Sequence, residues 1–266
     1  MIKGAVLGSP ISHSLSPRLH TAIFDYLKIE GTYEAIEVKS GELQSFFELR
    51  GDEFDYLSLT MPLKEEALAL DVPVDDLTQR IQSANTLVRS ENGWSLSSTD
   101  GSGFLQALSH QNLTEFKSVL ILGAGGTARA VAGSLDSVSD AITVLGRSST
   151  RKKPLADAIN SADFSYQIWE QNIDFENFDL VVNTTPAGAA DLLSENVIAP
   201  ISTPLFDVIY KPWPTVLAAR WIDCGGLVIN GLELLLYQGI DQIEKIIGEI
   251  SDREALAVHL RKVLNS

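Results

Sequence analysis

The stretch Ser118-Val-Leu-Ile-Leu-Gly-Ala-Gly-Gly-Thr-Ala-Arg-Ala130 decides the fold. Val119 to Leu122 is apolar at every position, the pattern of a strand buried on both faces. Gly123, Gly125 and Ala128 then spell G-x-G-x-x-A, and from Thr127 the spacing turns helical, with Arg129 and Asp136 as its solvent-facing breaks. Strand, glycine turn and helix start are the parts of a pyrophosphate cradle. Gly123 makes the tight turn, Gly125 lets backbone approach the ligand, and Ala128 lets the helix pack close to the sheet. The helix start adds free N–H groups and a partial positive charge. A close-packed turn would use the same glycines, but the setting between buried strand and helix favours a nucleotide.

The same element pattern extends in both directions. Upstream, Ile2 to Gly8 reads as a strand, followed by the loop Ser9 to Ser16 and a helix with Ser16 as N-cap, Pro17 as first helical residue and Gly31 closing it. Thr32 to Val38 and Phe54 to Thr60 are further strands, with a helix over Leu43 to Leu49 between them. Pro62 and Lys64 open a helix, and a short one follows near Leu77 to Gln82. Asn85 to Val88 and Trp94 to Ser97 form a ribbon turned at Asn92-Gly93. Alternating strands and helices predict a mostly parallel sheet with an antiparallel edge. Thr99-Asp100-Gly101 begins the helix that leads into a second domain. Downstream of the glycine turn, strands are expected at Ala141 to Leu145, Ser165 to Trp169, Asp179 to Asn183, Leu205 to Ile209 and Leu227 to Asn230. A long helix starts at Gly231, and a last one over Asp252 to Leu264 opens on a capping box, Ser251 with Glu254. These last helices are expected to pack back on the first domain. The boundaries are then 1–101 with 238–266 for one domain and 102–237 for the other.

With 266 residues, 45% apolar and 21% charged, the chain has ample core for two modest domains. A net charge of -15 opposes binding to nucleic acid or to an anionic membrane surface. An anionic substrate must then be captured by local donors. One cysteine, Cys224, excludes an intrachain disulfide, and the chain opens on a strand pattern without the apolar segment of a signal peptide. Its four histidines lack ligand spacing, so no metal site is expected. The expectation is a cytoplasmic protein, monomer or homodimer, acting on a small molecule.

The stretch after the second strand of the nucleotide unit, Gly146 to Lys153, bears on the cofactor. An acidic residue there would bind the ribose 2′-hydroxyl of NAD. Instead four bases fall within seven residues, Arg147 to Lys153, in a chain with 35 acids and 20 bases. Cations in a first helical turn oppose the macrodipole, so helix stability does not account for them. Arg147 with the hydroxyls of Ser148 and Ser149 suits a phosphate, which favours NADP. Chemistry is expected at Lys64, just past a buried strand and in the first turn of its helix, with Asp100 as its partner. The plain alternatives are a surface lysine beside Glu65 and Glu66, and Asp100 as an N-cap. Ser12, Ser14 and Ser16 near a helix start form an uncharged receptor for a carboxylate. Asn85, Tyr210 and Gln238, at element ends, are candidates for substrate hydroxyls, each with an ordinary structural alternative.

Together these motifs resemble the shikimate dehydrogenase family over nearly the whole chain. The resemblance lies in Gly8 to His20, in Leu59-Thr60-Met61-Pro62-Leu63-Lys64, in Ala84-Asn85-Thr86 and in Ser98-Thr99-Asp100-Gly101. It continues through Gly123 to Gly126, Asn183 to Gly188, Asp207-Val-Ile-Tyr210 with Pro212 and Thr215, and Gly231 with Gln238. It implies an α/β enzyme with an N-terminal substrate domain, a Rossmann-type NADP-binding domain and an active-site cleft between them. The implied reaction is that of an NADP-dependent oxidoreductase acting on a CH–OH group, reversibly reducing 3-dehydroshikimate to shikimate in the chorismate route to aromatic amino acids. In that picture Ser14 and Ser16 hold the substrate carboxylate, and Thr60, Asn85, Tyr210 and Gln238 bind the ring or its hydroxyls. Lys64 and Asp100 handle the C3 oxygen. Gly123, Ala124, Gly125, Gly126 and Thr127 hold the pyrophosphate, Arg147, Ser148 and Arg151 the 2′-phosphate, and Val208 and Gly231 lie near the nicotinamide. Three positions depart from the family pattern: Gly146 and Ser58 where Asn is common, and Thr21 after the first-motif histidine. The alternatives are an NAD-dependent quinate/shikimate dehydrogenase, which would carry an acid after the second strand, and a non-catalytic NADP-binding regulator, which would need no Lys64–Asp100 pair.

Overall fold

A computed structural model describes residues 1–169 and 172–266. Its contacts divide the chain into Met1–Gly103 with Leu235–Ser266, and Phe104–Leu234. In the first unit β1 (Ile2–Gly8) leads into α1 (Ser16–Leu27), then β2 (Gly31–Glu37), α2 (Leu43–Arg50), β3 (Tyr56–Leu59), α3 (Leu63–Glu66), α4 (Asp76–Ile81), β4 (Thr86–Ser90) and β5 (Gly93–Ser97). The boundary to the second unit falls inside α5 (Asp100–His110). The sheet order is β2-β1-β3-β4-β5, with β1 parallel to both neighbours and β4 antiparallel to β3 and β5. Alternation divides β3 between two faces. Leu57 and Leu59 join Ala5, Leu7, Leu43 and Leu63 in an apolar core, while Tyr56 and Ser58 fall on the opposite side and carry polar groups into it.

The second unit contains β6 (Phe116–Leu122), α6 (Gly126–Leu135), β7 (Ser139–Gly146), α7 (Lys152–Ala158), β8 (Asp163–Ile168), β9 (Leu180–Asn183), β10 (Leu205–Asp207), α8 (Val216–Asp223) and β11 (Val228–Asn230). Its six strands are all parallel in the order β11-β10-β9-β6-β7-β8. The chain therefore winds outward through β8 and returns to β9 on the other side of β6. That reversal makes the carboxyl ends of β6 and β9 a switch point, the place where open α/β sheets bind ligands. Buried Leu120, Leu122, Val181, Leu205 and Trp221 belong to its core. The other unit boundary lies in α9 (Gly231–Ile247), and α10 (Arg253–Leu264) packs on α1, with the rings of His259 and Tyr26 5.0 Å apart. Among the described residues no helix is long and apolar enough to cross a membrane.

Several local expectations are corrected. Arg129 and Asp136 do not face solvent: Arg129 is 2% exposed, in a helix whose residues 128–135 are all buried between the sheet and α7. The Asp136 carboxylate is buried because it accepts the backbone N–H groups of Asn160, Ser161 and Ala162 at 2.7–3.0 Å. Ser16 is not an N-cap. Helix α1 already includes it, and the Ser14 hydroxyl turns back to accept its N–H at 3.3 Å. Lys28, in the left-handed conformation at φ 55, ends that helix, while Gly31 opens β2. At α10 the cap is Asp252, whose carboxylate accepts the Ala255 N–H at 3.0 Å, in place of Ser251. Strand β10 stops at Asp207 instead of Ile209 because the Asp207 carboxylate draws the Ile209 N–H out of the ladder, at 3.1 Å.

Candidate active site

Strand directions gather the candidate residues of the first unit. The parallel strands β1 and β3 end on the same edge, so the loop with Ser14 and Ser16 and the segment Thr60–Lys64 leave from neighbouring positions. Backbone bonds tie them: Thr60 N–H to Leu7 O at 2.9 Å and Ser9 N–H to Met61 O at 3.0 Å. Because β4 runs antiparallel to β3, its start lies at that same edge, and β5 ends there too. This puts Asn85, just before β4, and Thr99 and Asp100, just after β5, beside the end of β3. Leu59 N–H donates to Asn85 O at 2.8 Å, and Ala84 N–H donates to Lys64 O at 2.8 Å.

At this edge Lys64 Nζ donates to Asp100 Oδ2 at 2.5 Å, with side chains 19% and 5% exposed. The lysine therefore pairs across the fold, while Glu66 is occupied with the N–H groups of Gly41 and Leu43. Asp100 is the first residue of its helix, and its other oxygen accepts from Asn85 Nδ2 at 2.9 Å. The Asn85 amide also donates to Gln238 Oε1 at 3.1 Å. The Asn85 orientation is fixed by a donor that cannot reverse: Thr99 N–H points at Asn85 Oδ1, 2.8 Å away, so the NH₂ must face Asp100. A buried carboxylate with a cation on one oxygen and an amide on the other is held in one rotamer. The ammonium keeps partial contact with solvent, where a substrate oxygen can reach it.

Of the predicted residues, hydrogen bonds join Lys64, Asp100, Asn85 and Gln238 into one cluster. Thr60 lies four positions before Lys64 at the end of β3, and Ser14 and Ser16 lie beyond the end of adjacent β1. Tyr210, Val208 and Gly231 are in the second unit. There the main-chain φ at Gly123 is +104°, and a Cβ at that position would lie 2.6 Å from Thr184 Oγ1, so only glycine fits the turn. Gly125 is exposed with open space where a Cβ would be, and α6 begins after it without a side-chain cap or an acid in its first turn. The N–H groups of this helix start are thus left for an anion, and a dinucleotide pyrophosphate fits the cradle. Gly123 N–H bonds Leu145 O at 2.9 Å, which brings the turn to the end of β7 and the exposed Arg147, Ser148 and Arg151 beyond it. Of the basic run, Lys153 is engaged with Asp157 at 2.7 Å. Gly231 packs against Val208: a Cβ on it would stand 2.0 Å from the Val208 carbonyl oxygen.

Sequence reasoning assigned no role to four residues that shape these sites. Thr184 Oγ1 donates to Leu122 O at 2.8 Å and braces the glycine turn from β9. Asp207 accepts from Thr215 Oγ1 at 2.7 Å, Asn183 Nδ2 at 3.1 Å and Ile209 N–H, holding the segment that carries Val208 and Tyr210. Burial pushes its carboxyl above the usual range, and the three donors oppose that rise. Tyr166 explains Gly146: its hydroxyl would lie 1.8 Å from a Cβ there, and it donates to Ser148 O at 2.6 Å. Gln242, on α9, donates to Asn85 O at 3.2 Å behind the Lys64–Asp100 pair. The Asn183-Thr184 and Asp207 motifs were visible as motifs; Tyr166 and Gln242 had no such signal.

Residues 6–87 match the model of the shikimate dehydrogenase substrate binding domain. A shikimate dehydrogenase (NADP(+)) of Staphylococcus epidermidis is 32% identical over 250 residues, covering 91% of this chain and 90% of that protein. Among solved structures, the shikimate dehydrogenase of Mycobacterium tuberculosis superposes with a TM-score of 0.86 at 35% identity, over 99% of this chain and 100% of its own. The shikimate 5-dehydrogenase of Thermus thermophilus, in complex with NADP(H) and shikimate, gives a TM-score of 0.84 at 31% identity, again over 99% and 100%.

Proposed function

The chain belongs to the shikimate dehydrogenase family, and on that premise we propose that it catalyses the reversible, NADPH-dependent reduction of 3-dehydroshikimate to shikimate, a step toward the aromatic amino acids. The observation that carries the reading is the Lys64–Asp100 pair, 2.5 Å apart at the edge where β1, β3 and β5 end. NADP is the cofactor, and when bound it exchanges a hydride with the substrate carbon that bears the reacting oxygen. Gly123 to Thr127 hold its pyrophosphate through the helix start, Arg147, Ser148 and Arg151 hold the 2′-phosphate, and Val208 and Gly231 line the nicotinamide end. Ser14 and Ser16 receive the substrate carboxylate by hydroxyl and helix-start donors, as a chain of net charge -15 requires. Thr60, Asn85, Gln238 and Tyr210 bind the ring and its hydroxyls.

In the direction of reduction, Lys64 delivers a proton to the C3 oxygen as that carbon gains its hydride; in oxidation it takes the hydroxyl proton back. Asp100 keeps the ammonium aimed at that oxygen. The single cysteine and acidic charge suit a cytoplasmic enzyme, monomer or homodimer, with neither nucleic acid nor membrane as partner. The test is the loss of NADPH absorbance with 3-dehydroshikimate, run beside quinate with NAD. The expected result is rapid NADPH consumption in the first and little turnover in the second. No decay in either would remove the reaction, and faster turnover of quinate with NAD would reassign it.

A further inference from the structure

Behind Lys64 and Asp100, a chain of hydrogen bonds runs inward to the middle of the first unit. Thr86 Oγ1 donates to Asn85 Oδ1 at 2.7 Å, and Gln242 Nε2 donates to Thr86 Oγ1 at 2.9 Å. Ser58 Oγ donates to Gln242 Oε1 at 2.8 Å and accepts from Tyr33 Oη at 2.6 Å. All five of these residues are buried. Two backbone groups fix the direction of every bond. Asn85 O can only accept, and Gln242 Nε2 lies 3.2 Å from it, so the Gln242 NH₂ faces Asn85 and Thr86 while its oxygen faces Ser58. Thr99 N–H can only donate, and it sets Asn85 Oδ1 on the side of Thr86. With Gln242 donating to it, the Thr86 hydroxyl has its own proton left for Asn85. The Asn85 NH₂ is thereby committed to Asp100.

On the reading of the reaction given above, we infer that Gln242 is a positioning residue for the Lys64–Asp100 pair, acting through Thr86 and Asn85. It touches neither substrate nor cofactor. Its amide polarises a one-way chain of donors, Tyr33 to Ser58 to Gln242 and then Thr86 to Asn85, whose last donor is the Asn85 amide on the Asp100 carboxylate. Aligned bonds of this kind strengthen one another in a buried setting, so losing a link weakens the hold on Asn85, whose Oδ1 then rests on Thr99 alone. The Ser58 hydroxyl belongs to this chain, which gives the departure from Asn at that position a role in the interior.

Three variants test it: Gln242→Met, which keeps volume and removes both the oxygen and the NH₂ of the amide; Thr86→Val, which keeps shape and removes the hydroxyl; and Thr86→Ser, which restores it. The role predicts that kcat with saturating shikimate and NADP falls about fivefold to tenfold in Gln242→Met and in Thr86→Val, the value of one such bond. KM for NADP stays within about twofold, Thr86→Ser returns to near the wild-type rate, and the double variant is no slower than the slower single one. A structural role alone would lower the melting temperature, leave kcat within about twofold and make the variants' stability losses add. That result, or a Thr86→Ser enzyme no faster than Thr86→Val, would overturn the inference. Should Gln242→Met fail to fold, the Thr86 pair decides by itself. Wild-type turnover in the same assay separates the two claims: without it both fall, whereas equal rates in all variants remove only the role of Gln242.

Discussion

His20 is a histidine fully buried in the first unit. Its ring is stacked on Tyr33 at 4.0 Å, with Tyr56 Oη 2.8 Å from Nδ1. Burial pushes its pKa from 6.5 down to about 3, only partly offset by Gln242, and it pushes the hydroxyls of Tyr33 and Tyr56 upward. The groups facing His20 are therefore neutral near pH 7, and the ring is neutral with them. In the unfolded chain the same histidine takes a proton below pH 6.5. Its contribution to stability is thus complete above pH 6.5 and is lost as pH falls toward 3, by up to about 1.4 kcal/mol per pH unit. Between pH 6.5 and 5, His20→Phe should flatten the dependence of unfolding free energy on pH by about 1 kcal/mol per unit, read from denaturant curves. An unchanged slope would mean that His20 is protonated in the fold. Nothing in the linear sequence marks His20 for this; a histidine three residues after Pro17 reads as an ordinary helical position.

At the scale of elements, the strands and the glycine turn were legible because each is a short apolar run or a motif whose chemistry is local. Element ends were less so. The cap at Ser251 was misplaced by a residue because the adjacent serine and aspartate suit the same geometry, and α1 starts a residue earlier than expected, with Leu15 at the cap position and no side-chain cap. Arg129 and Asp136 were misjudged for another reason: a polar residue in a helical pattern reads as solvent-facing, but α6 is covered on all sides, and Asp136 serves a loop 24–26 residues downstream. Asp136→Ala would leave three part-buried backbone N–H groups without that acceptor and should cost about 1–3 kcal/mol of stability, with Asp136→Asn recovering part. A loss below about 0.5 kcal/mol in urea unfolding would show that water replaces the carboxylate at no cost.

At the scale of the whole molecule, the sequence assigns two chemistries to two units: a nucleotide cradle after β6, and a proton-transfer pair after β3 and β5. Lys64 and Asp100 could be picked from the sequence because each is an ionisable residue at the end of a buried element. Their union is a product of topology, since only the antiparallel ribbon β4–β5 returns Asp100 to the edge where β3 ends. Gln242 and Tyr166 were invisible for the same reason, being surface-type residues until α9 and β8 place them. The most direct test is turnover of Lys64→Ala with NADPH and 3-dehydroshikimate, measured with the dissociation constant for NADPH. We predict a fall in kcat of at least about a hundredfold, the scale of a lost acid–base group, with NADPH binding unchanged. A variant that keeps kcat within a fewfold of wild type would contradict the assignment of Lys64 and, with it, the chemistry given to this edge.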